Sequence, residues 1–194
     1  MASVGSYKPA PLEETMKRVL CAITAAGLLA AACGGGTAPT TPYAAAPTPQ
    51  TVYVFTADLS PANENPPVTD SEASGSGTAT VTLTTTKDAA GKITAATAKF
   101  VIVLKGFPTT TKLTISHIHK GDAKTNGPVV VDSGMKAADP IALTTGGTTI
   151  TKDNLTVAPD LATDIIANPG NYYYNVHSQV HAPGVVRGQL KAKS

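Results

Sequence analysis

The sequence predicts a mainly all-β fold: an antiparallel β-sandwich or Greek-key barrel-like domain with one short helix, following a signal peptide and a disordered linker. Three observations carry this. Thr supplies 29 of 194 residues, beside 17 Gly and 15 Pro, a composition suited to short strands and turns. Residues 78–86 alternate strictly, with Ala79, Val81 and Leu83 on one side and Thr78, Thr80, Thr82 and Thr84 on the other, as a half-buried antiparallel strand must. Seven to nine short β-branched or aromatic runs, divided by turn signals, fill the chain from residue 51 onward.

The elements follow in order. Val52-Tyr53-Val54-Phe55-Thr56-Ala57 is a strand. Residues 61–76 are polar with Pro66-Pro67 and Gly75, a loop. After the strand at 78–86, residues 87–92 turn the chain into a central strand at 93–104, which ends in Phe100-Val101-Ile102-Val103-Leu104 and is broken by Gly106-Phe107-Pro108. A strand at 113–119 comes next. Asn126-Gly127-Pro128 then turns into Val129-Val130-Val131, and two weak strands are expected at 141–145 and 148–151. The helix starts at Pro159, a first-turn residue, with Asp160 complementing its N-terminus; Leu161, Ile165 and Ile166 form its apolar face, and Asn168-Pro169-Gly170 stops it. A strand at 172–178, a type II turn at Ala182-Pro183-Gly184 and a last strand at 185–190 close the domain.

The N-terminus reads as an address. Met16-Lys17-Arg18 precedes an apolar run from Val19 to Ala32, about the length of a signal-peptide core and short of the roughly 20 residues that span a bilayer. The run ends in Leu29-Ala30-Ala31-Ala32-Cys33 and resembles a bacterial lipobox, with Ala30 where Leu is usual. The expected division is therefore 1–15 as an over-extended start, 16–32 as a lipoprotein-type signal peptide, 33–50 as a flexible tether and 51–194 as the folded domain. Cys33 would carry the lipid, leaving the mature domain with no thiol. The protein is then extracytoplasmic, in a bacterial cell envelope or secreted, and touches membrane through its lipid. A net charge of +2 excludes a generic nucleic-acid partner, which needs clustered Lys and Arg.

Four stretches together resemble the CHRD family, whose domain is repeated in chordin. Leu59-Ser60-Pro61-Ala62-Asn63-Glu64-Asn65-Pro66-Pro67-Val68 is similar to the family's "L-S-G-x-x-E-V-P-P-V". Ser116-His117-Ile118-His119-Lys120-Gly121, followed by Asn126-Gly127-Pro128-Val129-Val130, is similar to "A-H-I-H-x-G … N-G-P-V-V". Tyr174-Asn175-Val176-His177-Ser178 is similar to "Y-V-N-V-H-T", and residues 183–190 are similar to "P-x-G-E-I-R-G-Q-L", with Val185 in place of the acidic residue. The resemblance implies a compact extracellular β-sandwich and leaves the biochemical task open.

All four His fall within these motifs. His117 and His119 are two apart on a strand, so both face one side, about 6–7 Å apart. His177 lies on another strand, and His181, four residues on, is expected to face the same way. Three or four imidazoles on a β-scaffold suit Cu or Zn, and the H-x-H strand also resembles, over a few residues, the metal strand of copper/zinc superoxide dismutases. The alternative is structural: the His bond Asn175, Tyr174 or carbonyls in a polar core, with His117 and His119 sharing a face with Leu113 and Ile115. Arg187 is expected to pair with a carboxylate of Asp58, Glu64 or Asp132, and Glu64 to be a pinned loop carboxylate. No Ser-His-Asp motif, phosphate-binding Gly loop or CxxC occurs. The function expected is a non-catalytic module for a protein or glycan partner; the alternative is a Cu- or Zn-binding lipoprotein with superoxide-dismutase-like redox chemistry.

Overall fold

The structure, a computed structural model, describes residues 48–193. The signal peptide, Cys33 and most of the tether expected from the sequence lie outside the described residues. Two antiparallel sheets share one apolar core, so the expected sandwich is what forms. The strands are β1 (Gln50–Leu59), β2 (Ser76–Lys87), β3 (Ile93–Lys105), β4 (Lys112–Lys120), β5 (Val129–Asp132), β6 (Ile141–Ala142), β7 (Thr148–Val157), β8 (Tyr172–Ser178), β9 (Val186–Gln189) and β10 (Lys191–Ala192), with helix α1 (Pro159–Ala167) before β8. The first sheet runs β10-β1-β2-β3-β7; the second runs β5-β4-β8-β9, with β6 also on β4.

The first sheet follows simple alternation. Ala79, Val81 and Leu83 of β2 are fully buried, as are Phe100 and Ile102 of β3. They meet Ile118, Tyr174 and Val176 of the second sheet in one cluster, where Phe100 and Tyr174 pack edge to face at 5.2 Å. β7 extends six residues past the expected end at 151. A register shift opposite Ala98/Phe100 and a left-handed Asn154 (φ 56°) break its alternation there, which hides the continuation from a pattern of period two. In α1 the deeply buried residues are Ala162 and Ile165, flanked by half-buried Leu161 and Ile166.

Two expectations are corrected in the second sheet. Leu113 belongs to the same core cluster as Ile118 and so lies opposite His117 and His119, because the β4–β8 register shifts between Leu113 and Ser116. The turn after β8 closes one residue early: the Gly184 N–H donates to His181 O, while the Val185 N–H is held by Val176 O in the β8–β9 ladder. The Ala182 carbonyl is thereby left free to accept from a side chain.

β8 is buried at all seven positions. Tyr172, Tyr174 and Val176 fill the core, while Tyr173, Asn175 and His177 project from the other face. That outer face is polar and still covered. A loop at 121–128 and a loop at 61–75, the latter holding two single 3-10 turns, lie over it and are tied together: Asn65 Nδ2–H donates to Lys124 O and Asn126 Nδ2–H to Asn65 O, each at 2.7 Å.

The sheets also approach each other at β1 and β9. Ser60 and Arg187 form a bridge, and a Cβ on Gly188 would lie 2.2 Å from Asp58 O. Only hydrogen fits there, so Gly188→Ala is predicted to cost about 2–3 kcal/mol. Gly170→Ala, at a site with nothing within 4 Å, should stay within about 0.5 kcal/mol. Urea denaturation of the two variants checks this; equal losses would contradict it.

Candidate metal centre

The covered face of the second sheet brings three of the four His together. His117 sits opposite Asn175, and His119 opposite Tyr173, across the β4–β8 ladder. His177 follows two residues after Asn175 on the same face. Their rings stack edge-on and tilted at centroid separations of 5.1, 5.5 and 6.1 Å. One ring nitrogen from each lies within 4.8 Å of the others. The three residues are 7, 9 and 5% exposed.

Hydrogen bonds fix which nitrogens carry protons. His119 Nδ1 lies 2.9 Å from Gly127 O, and His177 Nδ1 lies 2.7 Å from Ala182 O. A carbonyl only accepts, so in the neutral rings both Nδ1 atoms carry the hydrogen and both Nε2 atoms present a lone pair. The His119 Nε2 is buried with no partner. The His177 Nε2 lies 3.3 Å from His117 Nδ1, which is about the edge of a tetrahedron whose corners stand 2.0–2.1 Å from a metal. The far nitrogen of His117, Nε2, faces the Asp132 carboxylate at 3.9 Å.

Burial keeps the rings neutral. Desolvation pulls His177 down to about 4, aided by its two His neighbours and opposed by Ala182 O. Burial also lowers His117, against the pull of Asp132. It lowers His119, where Arg187 adds to the effect and Gly127 O opposes it. Uncharged imidazoles at neutral pH are ready ligands, since no proton need leave before a metal enters.

His181 does not join the group. Its Nε2 lies 2.9 Å from Asp70 Oδ2 and 3.8 Å from Glu72 Oε2, because the turn that closes on His181 O carries the ring toward the 61–75 loop. Glu72 is buried and accepts from Ser178 Oγ–H at 2.6 Å. Neither Asp70, Glu72 nor Asp132 was legible as a His partner, since each comes from a segment remote in sequence.

Arg187 differs from expectation in its partners. Among the described residues no carboxylate bonds it. Its NH1 donates to Asn126 Oδ1, and its NH2 donates to Asp122 O and Thr125 O. Its guanidinium lies 3.7 Å from the centre of the Tyr173 ring, and Tyr173 in turn stacks on His119 at 4.8 Å and 6°. β8 lies between β4 and β9, so the cation and the imidazole flank Tyr173 from opposite sides. The loop turn itself requires Gly127, where a Cβ would lie 1.6 Å from Lys120 O. Asn175 gives one amide hydrogen to Pro183 O at 3.4 Å, and its Oδ1 has no partner.

Glu64 is the unexpected group. It is 7% exposed, Oε1 has no partner, and burial pushes its carboxyl up to about 7 against the attraction of Arg187. It lies between two clefts of about 520 and 220 Å³, the larger walled by Asn63, Lys124, Arg187 and Gln189.

The CHRD domain family model matches residues 55–190. The chain belongs to the CHRD family. CHRD domains are of the extracellular, secreted type, and no helix among the described residues is long and apolar enough to cross a membrane. No curated protein and no solved structure matches the chain.

The shifted groups predict a pH signature for the metal-free CHRD domain. The folded value of His177, about 4, lies below the ordinary 6.5. Its contribution is complete above 6.5 and is lost as pH falls toward 4, about 3 kcal/mol in all. Glu64 acts in reverse: its folded value of about 7 lies above the ordinary 4.5, so its contribution is complete below 4.5 and is lost as pH rises through 7. The two oppose each other between 4.5 and 6.5. In Glu64→Gln, urea midpoints are expected to climb from pH 4 to about 6.5 and then level off, whereas the parent is flatter between 4.5 and 6.5 and declines as pH rises through 7. Parallel profiles would contradict this assignment.

Proposed function

We propose that this CHRD domain is a binding module whose ligand is a transition metal, Cu or Zn, held by His117, His119 and His177. The observation that carries the reading is the pair of buried Nε2 lone pairs on His119 and His177. Each is fixed by a carbonyl behind its ring, His177 Nε2 lies 3.3 Å from His117 Nδ1, and one ring nitrogen from each of the three residues lies within 4.8 Å of the others. Backing of this kind orients ligands and raises their basicity in metal sites. A merely structural His would use both nitrogens, whereas His119 leaves one buried and unpartnered.

Metal entry needs one proton shift. His117 Nδ1–H donates to His177 Nε2 in the metal-free cluster, because that nitrogen can only accept. For His117 Nδ1 to serve as a ligand, its hydrogen would have to move to Nε2, which Asp132 faces at 3.9 Å. All three rings would then have an acceptor behind them. Three protein ligands leave one coordination position for an outside ligand, the arrangement of a reactive rather than a closed structural site. The redox chemistry suggested by the superoxide-dismutase-like strand would need copper there.

A second reading rests on the larger cleft beside Glu64, which would take the protein or glycan partner expected from the sequence. The same proposal places the domain outside the cytoplasm, tethered to a bacterial membrane through a lipid on Cys33; only the lipobox-like sequence supports the anchor.

Calorimetric titration of metal-free protein with Zn(II) and Cu(II) tests the metal reading. One-to-one binding is expected, weakened about 100-fold or more in His177→Ala and changed little in His181→Ala. Circular dichroism of both variants separates ligand loss from unfolding. A folded protein that binds neither ion, or loses binding only in His181→Ala, would overturn the proposal.

A further inference from the structure

The charges around the three histidines go beyond the choice between Cu and Zn. All three donors are neutral rings, and no carboxylate shares the cluster. The Asp132 carboxylate lies 3.9 Å from His117 Nε2. It stands behind His117, and its side chain is 63% exposed, so water screens much of its field. On the other flank lies Arg187, 1% exposed and one ring away from His119 through Tyr173. Its named hydrogen bonds go to an amide oxygen and two backbone carbonyls, all uncharged. Glu64, the buried carboxyl that feels Arg187, is pushed up to about 7 and so is only partly ionised at neutral pH. Arg187 is thus a buried cation on the Tyr173 flank of the cluster, only partly offset by Glu64.

That surrounding treats ions of different charge unequally. The cost of burying an ion grows with the square of its charge, and repulsion from a fixed cation grows in proportion to it. A dication entering three neutral ligands keeps its full double charge; a monocation keeps half of it and pays a quarter of the desolvation. Coordination number acts in the same direction. Zn(II) completes a tetrahedron with a fourth ligand, here a water drawn to rings only 5–9% exposed. Cu(I) is satisfied by three imidazole nitrogens and needs no such water.

We infer that the His117–His119–His177 site selects monovalent copper, Cu(I), over divalent ions, by combining an all-neutral donor set with the buried, only partly offset charge of Arg187 behind Tyr173. The inference rests on the metal-centre reading above and sharpens it. Binding involves no electron transfer, since the ion enters already reduced.

The test is anaerobic competition with the metal-free protein, using bathocuproine disulfonate as the Cu(I) probe and a chromogenic zinc indicator as the Zn(II) probe. Cu(I) is expected to bind about 100-fold or more tightly than Zn(II) at pH 7. A second measurement reads the field directly. Asp132→Asn removes one exposed negative charge near the site and should leave the fold intact, as circular dichroism would verify. A change in local potential acts twice as strongly on a dication, so the fall in log affinity for Zn(II) should be about twice that for Cu(I). Zn(II) binding as tight as or tighter than Cu(I), or equal losses for both ions in Asp132→Asn, would overturn the inference while leaving the metal centre standing. If neither ion binds the folded protein, the metal centre fails and the inference fails with it.

Discussion

Burying one guanidinium organises the functional face of this domain. Arg187 projects from β9 on the side away from the apolar core, where its N–H groups must be met by protein once water is excluded. The 121–128 loop meets them with two carbonyls and the Asn126 amide. Drawing that loop down brings Gly127 against Lys120, close enough that only glycine fits. The Gly127 carbonyl then lands on His119 Nδ1. The same guanidinium covers one face of Tyr173, whose other face carries His119. Loop closure, ring orientation and proton placement at His119 therefore trace back to a single cation. A lysine there would keep the charge and lose the planar fork that reaches three acceptors while stacking on a ring.

The second sheet is thus buried on both faces for different reasons. One face joins the apolar core of the sandwich. The other carries imidazoles, amides and a carboxyl under a cover of loops tied by Asn65 and Asn126. Such a layer is stable only where each polar group finds a partner, and most do. The exceptions are informative: Glu72 Oε1 of the covering loop is buried without one, and so are His119 Nε2, Asn175 Oδ1 and Glu64 Oε1. The last three lie along one stretch of the layer, with Asn175 opposite His117 in the ladder and both the Asn175 amide and Glu64 packed against Gly184. Burial keeps the histidines uncharged and lifts the Glu64 carboxyl, so the layer holds lone pairs in place of formal negative charge.

Much of this architecture was legible in the residues. The alternation of β2, the apolar run of β3 and the turn chemistry around α1 each express one local rule, and each element appears where that rule puts it. The pairing of His117 with His119 followed from the two-residue period of a strand, and His177 joined them because β8 lies beside β4. What escaped notice depends on irregularity or on distant segments. The bulge between Leu113 and Ser116 moves Leu113 to the opposite face from the histidines. Asn154 disguises the outer half of β7. The turn that closes on His181 O diverts His181 to Asp70 and presents Ala182 O to His177. Arg187 called for a carboxylate by charge, yet it is satisfied by carbonyls that only the folded loop assembles. In β8 the succession Tyr172-Tyr173-Tyr174 already signals a strand with no solvent face, a sign that alternation analysis overlooks because it seeks one polar side.

The central claim is that three imidazoles, two of them oriented by carbonyls behind their rings, present their nitrogens to one ion. Anomalous diffraction from metal-loaded crystals, collected at the edge of the bound ion, tests it most directly. The account predicts a single strong peak about 2 Å from one ring nitrogen each of His117, His119 and His177, with Gly127 O and Ala182 O still accepting from the opposite nitrogens of His119 and His177. A peak at His181, Asp70 and Glu72, or none at the three-histidine cluster, would contradict it.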